Sequence, residues 1–149
     1  MKDEDAEFLR ILYASTREEE LAVTGWSDVQ KQDFCGMQFD AQTAHYREHY
    51  PAAEYAVIEC DGNAAGRLYV NRGEREIRIM DLALLPEWRG KGIGTSLLRE
   101  LQEEAATRGM PLSIHVERFN PALRLYERLG FRAVEDRGVY YLLSWKREG

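Results

Sequence analysis

The sequence has few cysteines and prolines and no long apolar segment. Its two cysteines, Cys35 and Cys60, form no CxxC motif and have no histidine cluster beside them. Disulfide frameworks and structural zinc sites need several closely spaced cysteines, so neither is predicted, and we expect no metal. The chain also lacks the run of about 20 apolar residues that crosses a bilayer, and its charged start has no signal-peptide core. We therefore expect a cytoplasmic protein without a membrane partner.

The sequence also lacks an excess of basic residues. It has 20 Lys and Arg against 26 Asp and Glu, which gives a net charge of −6. Nucleic-acid binders carry a basic surface, so no nucleic-acid partner is predicted. The 149 residues, 44% of them hydrophobic, are enough for one core, and we predict a single domain over residues 1–149.

Hydrophobic periodicity predicts helices in the first 50 residues and mainly strands after them. A capping-box pattern at Thr16 predicts one helix start, and another at Ser27 opens a long helix that Pro51 ends. We expect the apolar stripe of this helix to be formed by the residues Phe34, Met37, Ala41 and Ala44.

Three strand patterns follow, and then helix, strand, helix and a closing hairpin. Gly92 precedes the first of these later helices, and Asn120 is predicted to cap the second. The order αα, βββ, α, β, α, ββ predicts an α+β fold, in which helices pack on a mixed sheet.

The most informative segment is a glycine-rich loop between the third strand and the next helix. It holds Gly90, Gly92 and Gly94 together with Arg89 and Lys91. Glycines permit tight turns and close ligand approach, and N–H groups at a helix start bind anions. The spacing matches neither a Walker A motif nor GxGxxG. We interpret the loop as a phosphate cradle; the alternative is an ordinary turn before a capped helix.

The segment Arg89-Gly90-Lys91-Gly92-Ile93-Gly94 resembles the acetyl-CoA signature (Arg/Gln)-x-x-Gly-x-(Gly/Ala) of the GCN5-related N-acetyltransferases, the GNAT superfamily. Asn120-Pro121-Ala122 and residues 125–131 also match this family, and the chain is similar to small bacterial members of unassigned substrate. The resemblance covers residues 54–145 well. It implies a three-layer α/β arrangement: a mixed, mostly antiparallel sheet of about six strands with helices on both faces.

The resemblance also implies acetyl-CoA as cosubstrate and assigns its contacts. The loop would bind the phosphates through residues Arg89, Gly90, Lys91, Gly92, Gly94 and Thr95. The strand backbone at Leu82 and Leu84 would hold the pantetheine arm, with Asn120 as a further contact. The N–H of Leu84 would polarise the thioester carbonyl.

The catalytic candidates are Tyr126 and Asp81. The resemblance places Tyr126 as the acid that protonates the departing thiolate, although its spacing alone fits a core residue. Asp81 is a carboxylate on an apolar strand and a candidate base. Water-relayed deprotonation stays open, and His115 is interpreted as a core histidine.

Two departures from the family pattern are visible. The chain starts where the family has its first helix, so we expect an exposed sheet edge that could pair in a homodimer. The histone-acetylating branch has a catalytic glutamate where this chain has Arg78, which argues against that mechanism.

The sequence therefore predicts an enzyme that transfers acetyl from acetyl-CoA to a primary amine of a small molecule or peptide, by direct attack in a ternary complex. One alternative is a non-catalytic acyl-CoA-binding sensor or partner module of the same fold. Another is an unrelated α+β interaction domain whose glycine loop is only a turn.

Overall fold

The computed structural model describes residues 5–17, 21–22, 24–117, 120, 122–136, 138 and 140–147. Its helices are α1 (Ala6–Thr16), α2 (Asp28–His49), α3 (Ile93–Arg108) and α4 (Leu123–Arg128), with a 3₁₀ turn at Pro86–Trp88. Its strands are β1 (Glu54–Cys60), β2 (Asn63–Arg72), β3 (Ile77–Leu84), β4 (Leu112–Glu117), β5 (Arg132–Asp136) and β6 (Tyr140–Trp145). The predicted order of elements is confirmed.

The six strands form one sheet in the order β1-β2-β3-β4-β6-β5. β3 and β4 are parallel, whereas β4–β6 and β5–β6 are antiparallel. The α+β class with a mixed six-stranded sheet is therefore confirmed. β1 and β5 are the edge strands of the sheet. Within the ranges given above, no helix is long and apolar enough to cross a membrane.

The chain divides into two compact units. The first unit comprises Met1–Leu68 and Ala83–Trp88, and the second comprises Tyr69–Leu82 and Arg89–Gly149. β2 and β3 each contribute to both units.

In the first unit, α2 begins with the predicted capping box. The Ser27 hydroxyl accepts a hydrogen bond from the Gln30 N–H at 3.2 Å, and the Gln30 side chain accepts from the Ser27 N–H at 2.9 Å. The predicted apolar stripe is confirmed only at Phe34, which is partly buried against the core. Met37, at 64% exposure, and Ala41 and Ala44 are exposed, and the buried side chains of α2 are Cys35 and Phe39. Cys35 and Phe39 are four residues apart, so they share one helix face and pack with α1.

The other predicted helix start lies largely outside the described residues, which omit 18–20. Thr16 itself is the last residue of α1, and its hydroxyl donates to the carbonyl of Tyr13 at 2.6 Å.

A close backbone approach in the first unit requires glycine at position 66. A Cβ placed on Gly66 would lie 2.1 Å from the carbonyl oxygen of Ala83 and 2.8 Å from Cδ2 of Leu84. Beside it, the N–H of Leu85 donates to the carbonyl of Ala65 at 2.8 Å. Gly66 therefore lets the end of β3 lie directly against β2.

In the second unit, α3 buries Leu98, Leu101 and Ala105, and it packs on β4. It begins after Gly92 and ends at Gly109, whose φ of +66° closes the helix, as predicted. The prediction for Asn120 is wrong, because α4 begins at Leu123 with Ala122 as its N-cap. The Asn120 carboxamide oxygen instead accepts from the Ala122 N–H at 2.8 Å, a local turn that precedes the helix; Pro121 lies outside the described residues.

The two faces of the second-unit sheet differ in chemistry. Side chains alternate along a strand, and directly paired residues share a face. Ile77 and Ile79 of β3 pair with Leu112 and Ile114 of β4, so these four residues share one face, which we call the helix-side face. Asp81 lies two residues beyond Ile79 on the same face. The opposite face, which we call the open face, carries Arg78, Ser113 and His115.

We predict that Gly66→Ala destabilises the protein severely. The added methyl would meet main-chain atoms, which cannot move aside as a flexible side chain can. We therefore expect the free energy of unfolding to fall by more than about 3 kcal/mol, or the variant not to fold. Urea unfolding measures this. Gly94→Ala is the control, because its Cβ would meet only Cδ2 of Leu125 at 4.0 Å; equal stability of the two variants would contradict the prediction.

Candidate active site

The β3 and β4 strands separate before either of them ends. Among the described residues their parallel pairing joins Ile77–Ile79 to Leu112–Ile114. β3 nevertheless continues to Leu84, and β4 continues to Glu117 while still paired with β6. We call the second-unit residues beyond the last pair, Met80–Leu82 and His115–Glu117, the fork. Main-chain edges that are not used in the β3–β4 ladder face this opening.

The glycine loop turns through the left-handed region at two positions before α3. Gly90 and Gly92 have φ values of +73° and +82°, a region that side chains rarely adopt, and a Cβ on either would meet nothing within 4 Å. Gly92 is the N-cap of α3 and provides no side-chain cap. The first helical hydrogen bond runs from the Ser96 N–H to the Gly92 carbonyl, so the N–H groups of the turn before it have no acceptor within the helix.

A cavity of about 490 Å³ adjoins this loop. It is lined by Gly92, Thr95, Ser96, Arg99, Glu100 and Glu103. Two of the predicted cofactor-binding residues therefore line it, and Arg89 and Lys91 are exposed on the loop just before α3. The sequence analysis did not single out the other four, which are Ser96, Arg99, Glu100 and Glu103. They lie in the first three turns of a helix that follows a glycine loop, and this position was a usable signal.

The remaining predicted cofactor contacts are spread over the two units. Leu82 lies at the fork and is half-buried, and Asn120 is exposed before α4. Leu84 belongs to the first unit, where it packs against Gly66.

Tyr126 lies on α4 and is only 4% exposed. Its ring packs edge-on against Phe131 with the centroids 5.7 Å apart. Burial, together with the negative charge of Asp81, raises the pKa of Tyr126 to about 12, because both disfavour a phenolate. Tyr126 therefore stays protonated and can act as a hydrogen-bond donor. Asp81, half-buried on the helix-side face, is close enough to act on it electrostatically.

A polar network lies on the open face at the start of the fork. Arg78 donates from Nε to the Ser113 hydroxyl at 2.7 Å and from Nη2 to a Glu76 carboxylate oxygen at 2.8 Å. Its Nη1 is 3.1 Å from Nδ1 of His115, and the Ser113 hydroxyl donates to the other Glu76 oxygen at 3.1 Å. The prediction that His115 is a core residue is wrong, because the side chain is exposed. The sequence signal was the short alternation of charged and apolar residues in Glu76-Ile77-Arg78-Ile79.

The described part of the chain contains no group of three or more potential metal ligands. His45 and His49 pack edge-to-face, with their ring centroids 4.2 Å apart, on one exposed side of α2. They form a pair on a helix surface, as their spacing predicted.

Comparisons with known proteins identify the family of the chain. Residues 14–131 match the model of the Acetyltransferase (GNAT) family, which is more than half of the chain. The chain therefore belongs to the GNAT acetyltransferase family. The family match removes the alternative of an unrelated interaction domain.

Two curated relatives and one solved structure are informative. A Bacillus subtilis protein provisionally named a ribosomal protein bS18-alanine N-acetyltransferase is 35% identical over 94 residues, which are 61% of this chain and 62% of the relative. The streptothricin acetyltransferase of Streptomyces lavendulae is 31% identical over 96 residues, 62% of this chain and 51% of the relative. The chain thus spans between half and two thirds of these relatives.

The crystal structure of PaiA N-acetyltransferase from Thermoplasma acidophilum, solved in complex with coenzyme A, has a TM-score of 0.74. It is 18% identical, and the match covers 99% of this chain and 96% of that chain. At this identity the comparison establishes the fold.

We predict that Tyr126 makes stability pH-dependent in alkaline solution. Between pH 10 and about 12 the unfolded phenol ionises while the folded one keeps its proton, so the unfolded state binds fewer protons. The contribution of the Tyr126 phenol to the free energy of unfolding is complete below pH 10 and is lost as the pH rises through about 12. In Tyr126→Phe, the free energy of unfolding should fall less steeply over this range.

Urea unfolding at stepped pH measures this slope. The control is Tyr140→Phe, which removes an exposed phenol. Equal slopes for the wild type and Tyr126→Phe would contradict the prediction.

Proposed function

We propose that this protein transfers the acetyl group of acetyl-CoA directly to a primary amine of a small molecule or peptide, in a ternary complex. The observation that carries the proposal is the cavity at the start of α3. It adjoins Gly92, the N-cap of α3, whose φ is left-handed. The fork lies in the same unit. The two curated relatives support both acceptor types, since one name specifies alanine of a ribosomal protein and the other the small molecule streptothricin.

The cofactor's phosphates must bind to a chain with a net charge of −6. Long-range attraction is therefore absent, and local groups must supply the affinity. The N–H groups around Gly92, Gly94 and Thr95 and the dipole of α3 favour an anion at this point. Arg89, Gly90 and Lys91 complete the cradle, with two positive charges and a second turn glycine.

The pantetheine arm would then follow the fork. Here β3 offers main-chain groups at Leu82 that the β4 ladder does not use, and Leu84 and Asn120 are the other proposed contacts.

Two protons must move during the reaction. Starting from the neutral amine, the nitrogen forms a bond to the carbonyl carbon, the C–S bond breaks, the nitrogen gives one proton to the base and the thiolate takes one from solvent water. A lysine-like amine with a pKa near 10.4 costs ~4.6 kcal/mol to neutralise at pH 7, and Asp81 is the proposed base. Tyr126, with a pKa of about 12, is a weaker acid than a thiol with a pKa near ~8.5, so it would stabilise the leaving sulfur mainly by donating a hydrogen bond.

We predict that saturating acetyl-CoA raises Tm by roughly 5–10 °C, because a ligand at about 100 times its Kd adds ~2.7 kcal/mol to the native state. Gly92→Asp should abolish this shift, since its carboxylate would repel the diphosphate. Gly62→Asp is a matched control: Gly62 has φ +80° and equally open surroundings, but it lies in the β1–β2 turn. If both variants lost the rise in Tm, or both kept it, the prediction that acetyl-CoA binds at Gly92 would be contradicted.

We predict release of free CoA thiol when the protein is given acetyl-CoA and a panel of amines, amino acids and peptides. Tyr126→Phe should lower kcat on the order of 10²-fold with little change in acetyl-CoA affinity, because it removes only the donor to sulfur. Tyr140→Phe serves as the control. A thermal shift without thiol release for any amine would favour the non-catalytic acyl-CoA-binding alternative.

A further inference from the structure

One polar side chain is buried in the apolar face of α3. The buried residues of this helix are Leu98, Leu101, Gln102 and Ala105, and their spacing places all four on one side. Gln102 is 9% exposed, so its carboxamide has left water and needs hydrogen-bond partners within the protein. A leucine would fill the same position without that cost. A carboxamide here therefore indicates a specific contact.

That contact is with the end of α4. Nε2 of Gln102 donates a hydrogen bond to the main-chain carbonyl of Leu129 at 2.8 Å. Leu129 is the C-cap of α4, and the last carbonyls of a helix have no N–H partner within it. Gln102 therefore supplies a donor that the helix itself cannot supply, and it joins α3 to α4.

The same turn at the end of α4 fixes Tyr126. The Tyr126 carbonyl accepts hydrogen bonds from the N–H groups of Leu129 at 3.1 Å and Phe131 at 3.0 Å. With the left-handed φ of +95° at Gly130, these bonds form a Schellman ending, and the Phe131 ring packs against the Tyr126 ring. The position of the Tyr126 phenol therefore depends on this turn, which Gln102 holds through Leu129.

α4 also contacts α3 near the start of that helix. Gly94 lies in the first turn of α3, and a Cβ built on it would be 4.0 Å from Cδ2 of Leu125. Gly94 and Gln102 are roughly 12 Å apart along α3 at the usual helical rise. α4 has only six residues, and so short a helix is stabilised mainly by packing against its neighbours. Two separated contacts therefore set its direction relative to the proposed phosphate cradle.

We propose that Gln102 is a positioning residue for acetyl transfer. By holding the Leu129 carbonyl, it keeps the Tyr126 phenol where it can donate to the departing sulfur of a thioester bound at the start of α3. Gln102 acts through α4 and not through contact with acetyl-CoA. This inference rests on the proposed acetyl transfer and on the role of Tyr126 in it.

Gln102→Met tests the hydrogen bond, because methionine has a side chain of similar length and no donor. We expect kcat for thiol release to fall about tenfold, with KM for acetyl-CoA within about twofold of the wild type. A small displacement of a catalytic group lowers the rate but leaves cofactor binding intact. An unchanged kcat in the folded variant would overturn the proposal. Gln102→Leu, which suits the apolar face of α3, should show the same loss and serves if the methionine variant does not fold.

Glu104→Gln is the matched control on the same helix. It removes the charge that pairs with Arg72 at 2.6 Å, and it leaves the hydrogen bond to Leu129 in place. We expect this control to keep the wild-type kcat, because the charge pair does not involve α4. Equal losses of kcat in Glu104→Gln and Gln102→Met would overturn the proposal, since any weakening of α3 would then be enough.

A double-mutant cycle tests whether Gln102 acts through Tyr126. Gln102→Met should cost about tenfold in kcat in the wild type but less than about twofold in Tyr126→Phe, where the group that it positions is already lost. A merely structural role of Gln102 would lower kcat by the same factor in both backgrounds, and that result would overturn the proposal.

The outcomes separate the two levels of inference. No thiol release with any amine in the panel would overturn the proposed function and the inference with it. Thiol release by the wild type, together with wild-type kcat in both Gln102 variants, would overturn the inference alone.

Discussion

The separation of β3 from β4 is the constraint on which the rest of the site depends. Two parallel strands normally use the facing main-chain groups to bond each other, and here that pairing ends at Ile79 and Ile114. β4 remains ordered beyond this point because β6 pairs with it along its whole length, from Leu112 to Glu117. The two strands can therefore separate while β4 stays part of the sheet.

The helices make the two sides of this opening chemically different. On the helix-side face, Tyr126 is buried and kept protonated by desolvation and by the charge of Asp81. The start of α3 adds oriented N–H groups beside a cavity of about 490 Å³. On the open face, Arg78, Glu76 and Ser113 fix the ring of His115.

Short-range patterns made much of this predictable. The order of elements, the capping box at Ser27 and the glycine turn before α3 follow from local conformational preferences, and all three are present. The predicted helix stripe through Met37 was wrong because that position is 64% exposed and packing against α1 selects Cys35 and Phe39 instead. The predicted start of α4 was wrong because the Asn120 side-chain oxygen accepts from the Ala122 N–H in a turn before the helix. The sequence does not distinguish this hydrogen bond from one that caps a helix.

The sequence by itself determined the family signature and the glycine turn before α3, because each is written within a few neighbouring residues. Only the tertiary structure decided that Gly66 must lack a side chain, that β3 leaves β4 after three pairs, and that Arg78 meets His115. Each of these joins positions at least 17 residues apart, as Gly66 and Ala83 illustrate. Such contacts depend on strand register, which no local pattern in either segment encodes.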